Sequence, residues 1–329
     1  MPPVPGAPTA PAPPTAHPTA RAADPIRGRC VVFLHAHPDD EAIFTAATMH
    51  RLARRGARVV LVTATGGDLG PALRPLRSGQ TLADVRRAEL ERACAALGVA
   101  RLVLLGRRDS GMPGWPDNGH PDALARADPA PLARCLARLC AAENAEALVH
   151  YDQGGIYAHP DHLAVHRIGA AAASEAGIAA YQATVDRDQI GRSGRHLVGQ
   201  AAAALSGGEP GGEPGRQHDR QARPDRQARP DRQAGAGRQA GWAAGDPGGF
   251  GRHRDEVTTV VAADAADLAA KRAAMAAHAS QIDRSALRRR GFAETYGLEW
   301  YVGPGAPGLL DALTPTVQRG RSTLDGQGR

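Results

Sequence analysis

The sequence predicts an α/β fold: a Rossmann-like, mostly parallel sheet with helices on both faces, forming a single domain with a disordered insertion. Two observations predict it. From residue 30 onward, short Val- and Leu-rich runs alternate with longer stretches of helical period. The loops after four of those runs also gather acidic, basic and histidine side chains, and in a parallel sheet such loops open on one edge.

In order along the chain, CVVFL (30–34) reads as a buried strand, followed by a helix over about 41–55. RVVLVTAT (58–65) is the second strand, and TLADVRRAELERACAALG (81–98) is a helix closed by Gly98. RLVLL (101–105) is the third strand, 131–145 a helix, and ALVHY (147–151) the fourth strand. HLAVHRIGAAAASEAG (162–177) is helical again, and AAYQATV (179–185) returns to strand. After a break, VTTVVAA (257–263) reads as strand and ADLAAKRAAMAAHASQI (266–282) as helix.

Composition limits the remaining readings. Of 329 residues 42% are hydrophobic and only 4% aromatic, so Ala, Val and Leu must build the core. The net charge of +6 is concentrated in segments that cannot fold. Residues 1–29 carry +2 and residues 206–254 carry +3, which leaves about +1 elsewhere, too little for a phosphate-tracking face. Nucleic-acid binding is therefore not expected. No run approaches the roughly 18 apolar residues of a membrane span, and the N-terminus has neither the basic nor the apolar region of a secretion signal. A cytoplasmic location is the expectation. Cys30, Cys94, Cys135 and Cys140 form no CxxC pair and read as small buried hydrophobes.

The expected organisation is a Pro- and Ala-rich disordered extension (1–29), the main part of the catalytic domain (30–205) and a flexible insertion (206–252). The C-terminal part of the domain (253–303) and a loose tail (304–329) follow. The insertion holds GGEPGGEPG and two consecutive copies of QARPDR, too few for a solenoid and too polar to bury a core.

The four loops at the sheet edge are HAHPDDE (35–41), TGGDLG (65–70), GRRDSGM (106–112) and DQGGIYAHPDH (152–162). Histidine nitrogen and carboxylate oxygen are zinc ligands where cysteine is absent, and a catalytic zinc takes three protein ligands plus water. His37 and Asp40, three apart at a loop-to-helix junction, can face one ion, and His162 can supply a third ligand. His166 lies at i,i+4 from His162, so spacing alone leaves both open. Asp39 is free to act as a base on metal-activated water. His159 can donate to a developing oxyanion, with Asp161 orienting it. A competing reading makes each His-Pro-Asp a helix cap, with Pro in the first turn; two such tripeptides on neighbouring strand ends weigh against it. His35, directly after the first strand, reads as structural. TGGD lacks the lysine of a phosphate loop and reads as a turn lining the pocket, and GGIYAH falls short of a dinucleotide fingerprint.

HAHPDDE, RxxEL at 86–90, RDSGM at 108–112 and YxHPDH at 157–162 together resemble the PIG-L/LmbE-like zinc N-deacetylases. Within that family the sequence looks like the N-acetylglucosaminyl-inositol deacetylases of the mycothiol pathway. The resemblance covers about 30–199 and 255–303, where AAHASQI also matches. It implies one Zn²⁺ per chain held by His37, Asp40 and His162, which selects His162 over His166. It implies Asp39 as general base and then acid, and His159 as oxyanion stabiliser oriented by Asp161. Tyr157 would be a mobile residue that closes over the substrate, and Arg86 and Asp109 would bind sugar hydroxyls. The implied reaction is removal of the N-acetyl group from an N-acetylglucosamine-type sugar. The alternatives are an amidase for a larger acyl group, such as a mycothiol S-conjugate or a natural product, and a catalytically silent binding protein. Ala158 stands where the family has glycine; if that position needs φ > 0, alanine strains the loop.

Overall fold

The computed structural model describes residues 24–189, 250–288 and 290–314. Seven strands form one sheet in the order β3-β2-β1-β4-β5-β7-β6. These are β1 (Cys30–His35), β2 (Arg58–Thr65), β3 (Arg101–Arg107), β4 (Ala147–Tyr151), β5 (Ala179–Thr184), β6 (Thr259–Ala262) and β7 (Leu298–Val302). The pairings from β3 through β5 are parallel, and β7 runs antiparallel to both β5 and β6. The expected α/β class is the observed one. The addition is β7, an antiparallel strand that no alternation rule located.

Among the described residues the α-helices are α1 (Asp40–Phe44), α2 (Ala46–Arg54), α3 (Leu82–Leu97), α4 (Pro129–Ala142), α5 (Gly155–Ala158), α6 (Pro160–Ala176) and α7 (Ala265–Ala277), followed by the short α8 (Arg284–Arg288) and α9 (Phe292–Tyr296). Helices α2, α3 and α7 pack together as one group, and α4 with α6 as another. Val31–Leu34, Val59–Val62 and Ala147–Val149 are fully buried between them, the continuous apolar strands of a sheet covered on both faces. Helix α3 begins as its sequence predicts: Thr81 and Asp84 form a capping box, and Gly98 ends it at φ 72.

The helix expected over 41–55 is two helices broken at Thr45, where φ is −138° and ψ is 6°. No local side chain caps α2. Its first N–H groups, those of Ala47 and Thr48, donate to the Glu299 carboxylate of β7 at 2.8 Å each. Glu299 is buried and pairs with the chain's single lysine, Lys271 of α7, at 2.7 Å. A cap supplied 250 residues away leaves no local signal.

Three expected boundaries move because apolar side chains pull the flanks into the core. Ile26 is fully buried, so the extension does not run to 29. Phe250 and Gly251 pack against Tyr157 and Val185, so 250–252 belong to the folded body. Leu310 and Leu313 are buried, and Asp311 accepts hydrogen bonds from Tyr181 and Thr259, so 304–314 is no loose tail. The remainder of the expected extension, insertion and tail lies outside the described residues. Cys30, Cys94 and Cys140 are buried as expected, whereas Cys135 is exposed on α4; all four are free thiols. Among the described residues no helix is long and apolar enough to cross a membrane.

Candidate metal centre and active site

The carboxyl ends of β1, β2, β3 and β4 bring the four loops together. His37, two residues beyond β1, and Asp40, the first residue of α1, are both buried. His159 and His162 come from the start of α6, and Asp109 and Ser110 from the loop after β3. The rings of His37, His159 and His162 lie 4.6 to 5.4 Å apart by centroid.

One oxygen of Asp40 sits between two of these rings. It is 3.3 Å from His37 Nδ1 and 3.4 Å from His162 Nε2, and it accepts the His37 backbone N–H at 2.8 Å. Ligands about 2.0–2.1 Å from a tetrahedral zinc stand roughly 3.3–3.4 Å from one another. These two separations match edges of that tetrahedron, and the donor set holds only imidazole and carboxylate. The residues therefore fit a divalent metal. Among the described residues, the groupings whose ligand atoms all lie within 4.8 Å of one another are His37 with His159 and His162, and His37 with Asp109 and Asp161; Asp40 adjoins the first of these through His37 and His162.

Electrostatics agree with a cation site. Burial opposes the charged form of Asp40, but His162 and His37 outweigh it and hold the carboxyl well below its usual range. Burial likewise opposes charge on His37, yet Asp161 and Asp40 hold its pKa well above the ordinary imidazole value. A proton on His37 thus meets the same demand for positive charge that a metal would.

His166 is elsewhere. Its Nδ1 faces the Tyr151 carbonyl at 3.0 Å, and its ring packs on His150. Between the two histidines that spacing left open, His162 is the one in the cluster. His35 is structural as expected, bridging the Tyr151 hydroxyl and the Thr45 hydroxyl.

Asp39 lies beside the cluster with an unusual backbone, φ 120° and ψ −30°. Its carboxylate does not cap α1 and lies 3.1 Å from Arg86 Nη2. Burial pushes its carboxyl up to about 6, against the pull of Arg86 and with the Asp40 charge adding to the rise.

His159 is the N-cap of α6, and its Nδ1 accepts the backbone N–H of Asp161 at 3.1 Å. An Nδ1 that accepts leaves the proton of the neutral ring on Nε2. Burial, with His37 and His162 nearby, pushes the His159 pKa down to about 2. The ring is a neutral donor.

The role expected for Asp161 needs correction. Its carboxylate does not orient His159; it accepts from His37 Nε2 at 3.1 Å and from the Ser110 N–H at 3.0 Å and the Ser110 hydroxyl. That places a carboxylate behind the His37 imidazole, while His159 is held by the Asp161 main chain. Ser110 lies inside the RDSGM motif, but nothing in the spacing shows that its hydroxyl faces Asp161.

A profile of the PIG-L family, described as GlcNAc-PI de-N-acetylase, matches residues 32–173. The 1D-myo-inositol 2-acetamido-2-deoxy-alpha-D-glucopyranoside deacetylase of Thermomonospora curvata is 36% identical over 307 residues, covering 86% of this chain and 94% of that protein. The chain belongs to the PIG-L family. A protein of the same description from Thermobispora bispora is 35% identical over 308 residues, covering 89% of this chain and 94% of its own. Among solved structures, the deacetylase of the A40926 pseudoaglycone covers 80% of this chain and 87% of its own at 15% identity and a TM-score of 0.48.

The remaining residues that the PIG-L resemblance singled out also reach this edge. The Tyr157 hydroxyl is 3.3 Å from His162 Nε2, and its ring stacks on Phe250. Arg86 donates to the carbonyls of Gly67 and Pro38, while its Nε has no partner among the described residues. Gly67 holds φ 64°, a left-handed value that favours glycine, and a Cβ there would stand 2.4 Å from the Arg86 guanidinium. Asp109 accepts the N–H groups of Leu69 and Gly111 and lies 3.8 Å from His37 Nε2. Ala158 has φ 61°, the left-handed value that the departure from glycine raised, and β-branched Ile156 shares it.

Proposed function

We propose that this chain is a metal-dependent hydrolase that removes the acetyl group from N-acetylglucosaminyl-inositol. One observation carries the reading. Asp40 lies between His37 and His162 at zinc-ligand separations with the Asp39 carboxyl beside it, in a chain 36% identical along most of its length to a deacetylase named for that sugar.

His37, Asp40 and His162 would hold one zinc ion per chain. When bound, it would lower the pKa of a water and polarise the amide carbonyl. Asp39, its carboxyl raised to about 6, takes the proton from the attacking water as the C–O bond forms. The same proton passes to the amine nitrogen as the C–N bond breaks, releasing acetate and a free amine. His159 donates its Nε2–H to the oxyanion, the tautomer that the Asp161 main chain favours. The Asp161 carboxylate keeps His37 oriented. Tyr157, whose hydroxyl burial holds protonated, lies over His162 and closes on the substrate. Arg86 and Asp109 receive the sugar hydroxyls.

Metal content per chain, paired with amine release from N-acetylglucosaminyl-inositol, plain N-acetylglucosamine and a larger acyl amide, tests this reading. The expected result is about one zinc, with release fastest from the inositol-linked sugar. No metal after reconstitution overturns the site, and preference for the larger amide overturns the substrate. Asp39→Ala is expected to keep the metal and lose about 10²- to 10⁴-fold in turnover; unchanged turnover overturns its role.

A further inference from the structure

We propose that the buried pair Glu41–His278 is a positioning device that keeps Asp39 in its strained backbone and directs its carboxylate into the active site; this rests on the reading of Asp39 as the base. An Asp directly before a helix ordinarily turns its carboxylate onto the free N–H groups of the first turn. Asp39 occupies that place before α1 and makes no such bond. At φ 120° it holds a conformation that side-chain-bearing residues rarely adopt, and that persists only where the surroundings over-determine it.

The surroundings here are two residues 237 positions apart. The Asp39 N–H donates to Glu41 Oε2 at 3.0 Å. The other carboxylate oxygen of Glu41 meets His278 Nε2 at 2.5 Å, with both side chains fully buried. His278 Nδ1 has no hydrogen-bond partner among the described residues, so the pair is the ring's one polar contact there. The anchoring of α7 does not depend on it, because Arg51 and His50 of α2 already bind Asp267 of α7 at 2.8 Å each.

The turn that follows α7 also controls the opposite side of Asp39. Ser280 donates its N–H and hydroxyl to Glu89 at 2.9 and 2.6 Å. Glu89 lies on α3, three residues after Arg86, the group that faces the Asp39 carboxylate. Residues 278–280 thus secure Glu41 behind the Asp39 peptide and the helix carrying Arg86 in front of its carboxylate.

The test is Glu41→Met, which removes the acceptor at similar volume, measured in the natural chain and in the Asp39→Ala background. Expected in the natural chain is a loss of kcat of about 10- to 100-fold, the effect of a misplaced catalytic group, at unchanged KM and bound metal. Glu41→Gln, which keeps an acceptor for the Asp39 N–H, restores most of that loss. In the Asp39→Ala background Glu41→Met has no further effect, because the carboxylate it positions is gone. An equal loss in both backgrounds, a loss that tracks metal content, or unchanged kcat in Glu41→Met overturns the inference. Should Glu41→Met not fold, His278→Leu is measured in the same two backgrounds with the same criteria. If Asp39→Ala by itself keeps full turnover, the base reading falls and this inference with it; if only Glu41→Met and His278→Leu are silent, the base reading stands.

Discussion

The two His-Pro-Asp tripeptides share a sequence and sit two residues out of step with their helices. In the first, α1 begins at Asp40, so His37 lies in the loop and Asp39 takes the cap position without capping. In the second, α6 begins at Pro160, and His159 is itself the cap, extended at φ −61° and ψ 134°. The helix-cap reading is therefore right for the second tripeptide, whose Pro suits the first helical position, and wrong for the first. The consequence is chemical. The first loop presents its own histidine and the carboxylate after the tripeptide, whereas the second presents the histidine after it and leaves His159 as a neutral donor. Backbone strain follows the same division: on Asp39 in one loop, and upstream on Ile156 and Ala158 in the other.

The largest expected effect separates the histidines of the second loop. His162→Ala should lose bound metal, with affinity falling more than the roughly 10- to 100-fold typical of a residue behind a ligand, while His166→Ala keeps it. Metal analysis after dialysis decides; the reverse pattern would move the site along α6. His159→Ala should keep the metal and lose about 10²- to 10³-fold in kcat, as removal of an oxyanion donor does. Metal loss in that variant would instead make His159 a ligand and break the contrast between the two loops.

A smaller effect concerns strain. Ala158→Gly relieves a left-handed alanine, worth about 1–2 kcal/mol, offset by about 0.4–1 kcal/mol of unfolded-chain entropy. A net gain of roughly 0.5–1 kcal/mol is expected in denaturant unfolding, and a loss would show that the second loop is not strained there.

The smallest effect lies outside both loops. Hydrogen bonds from Arg55 and from the Ile26 N–H hold the Asp24 carboxyl down to about 2, from an ordinary 3.8. Its contribution is thus present above the ordinary value and lost as pH falls through about 2. Asp24→Asn should show a slightly smaller drop in Tm on acidification through this range than the natural chain, and an equal drop would remove the ion pair from the account.

The alternation of strands and helices, and the placing of HPDDE and HPDH on neighbouring loops, were legible because period and loop position are local properties of a chain. The resemblance raised φ > 0 at residue 158 only as a condition, and the structure supplied the value. The antiparallel β7 was not legible, since five residues of strand carry no mark of their direction. Nor was the break at Thr45, whose compensating cap is Glu299 from β7.

By itself the sequence determined the fold class, the residue types at the sheet edge and, through the resemblance, the family. Only the tertiary structure decided that His162 rather than His166 enters the cluster on geometry alone, that the Asp161 carboxylate serves His37 rather than His159, and that His278 stands behind Glu41. The physical reason is the range of the interactions. Periodicity and capping act over a few residues, but a buried hydrogen bond is chosen by whichever donor and acceptor the packed sheet brings within about 3 Å, at any separation along the chain.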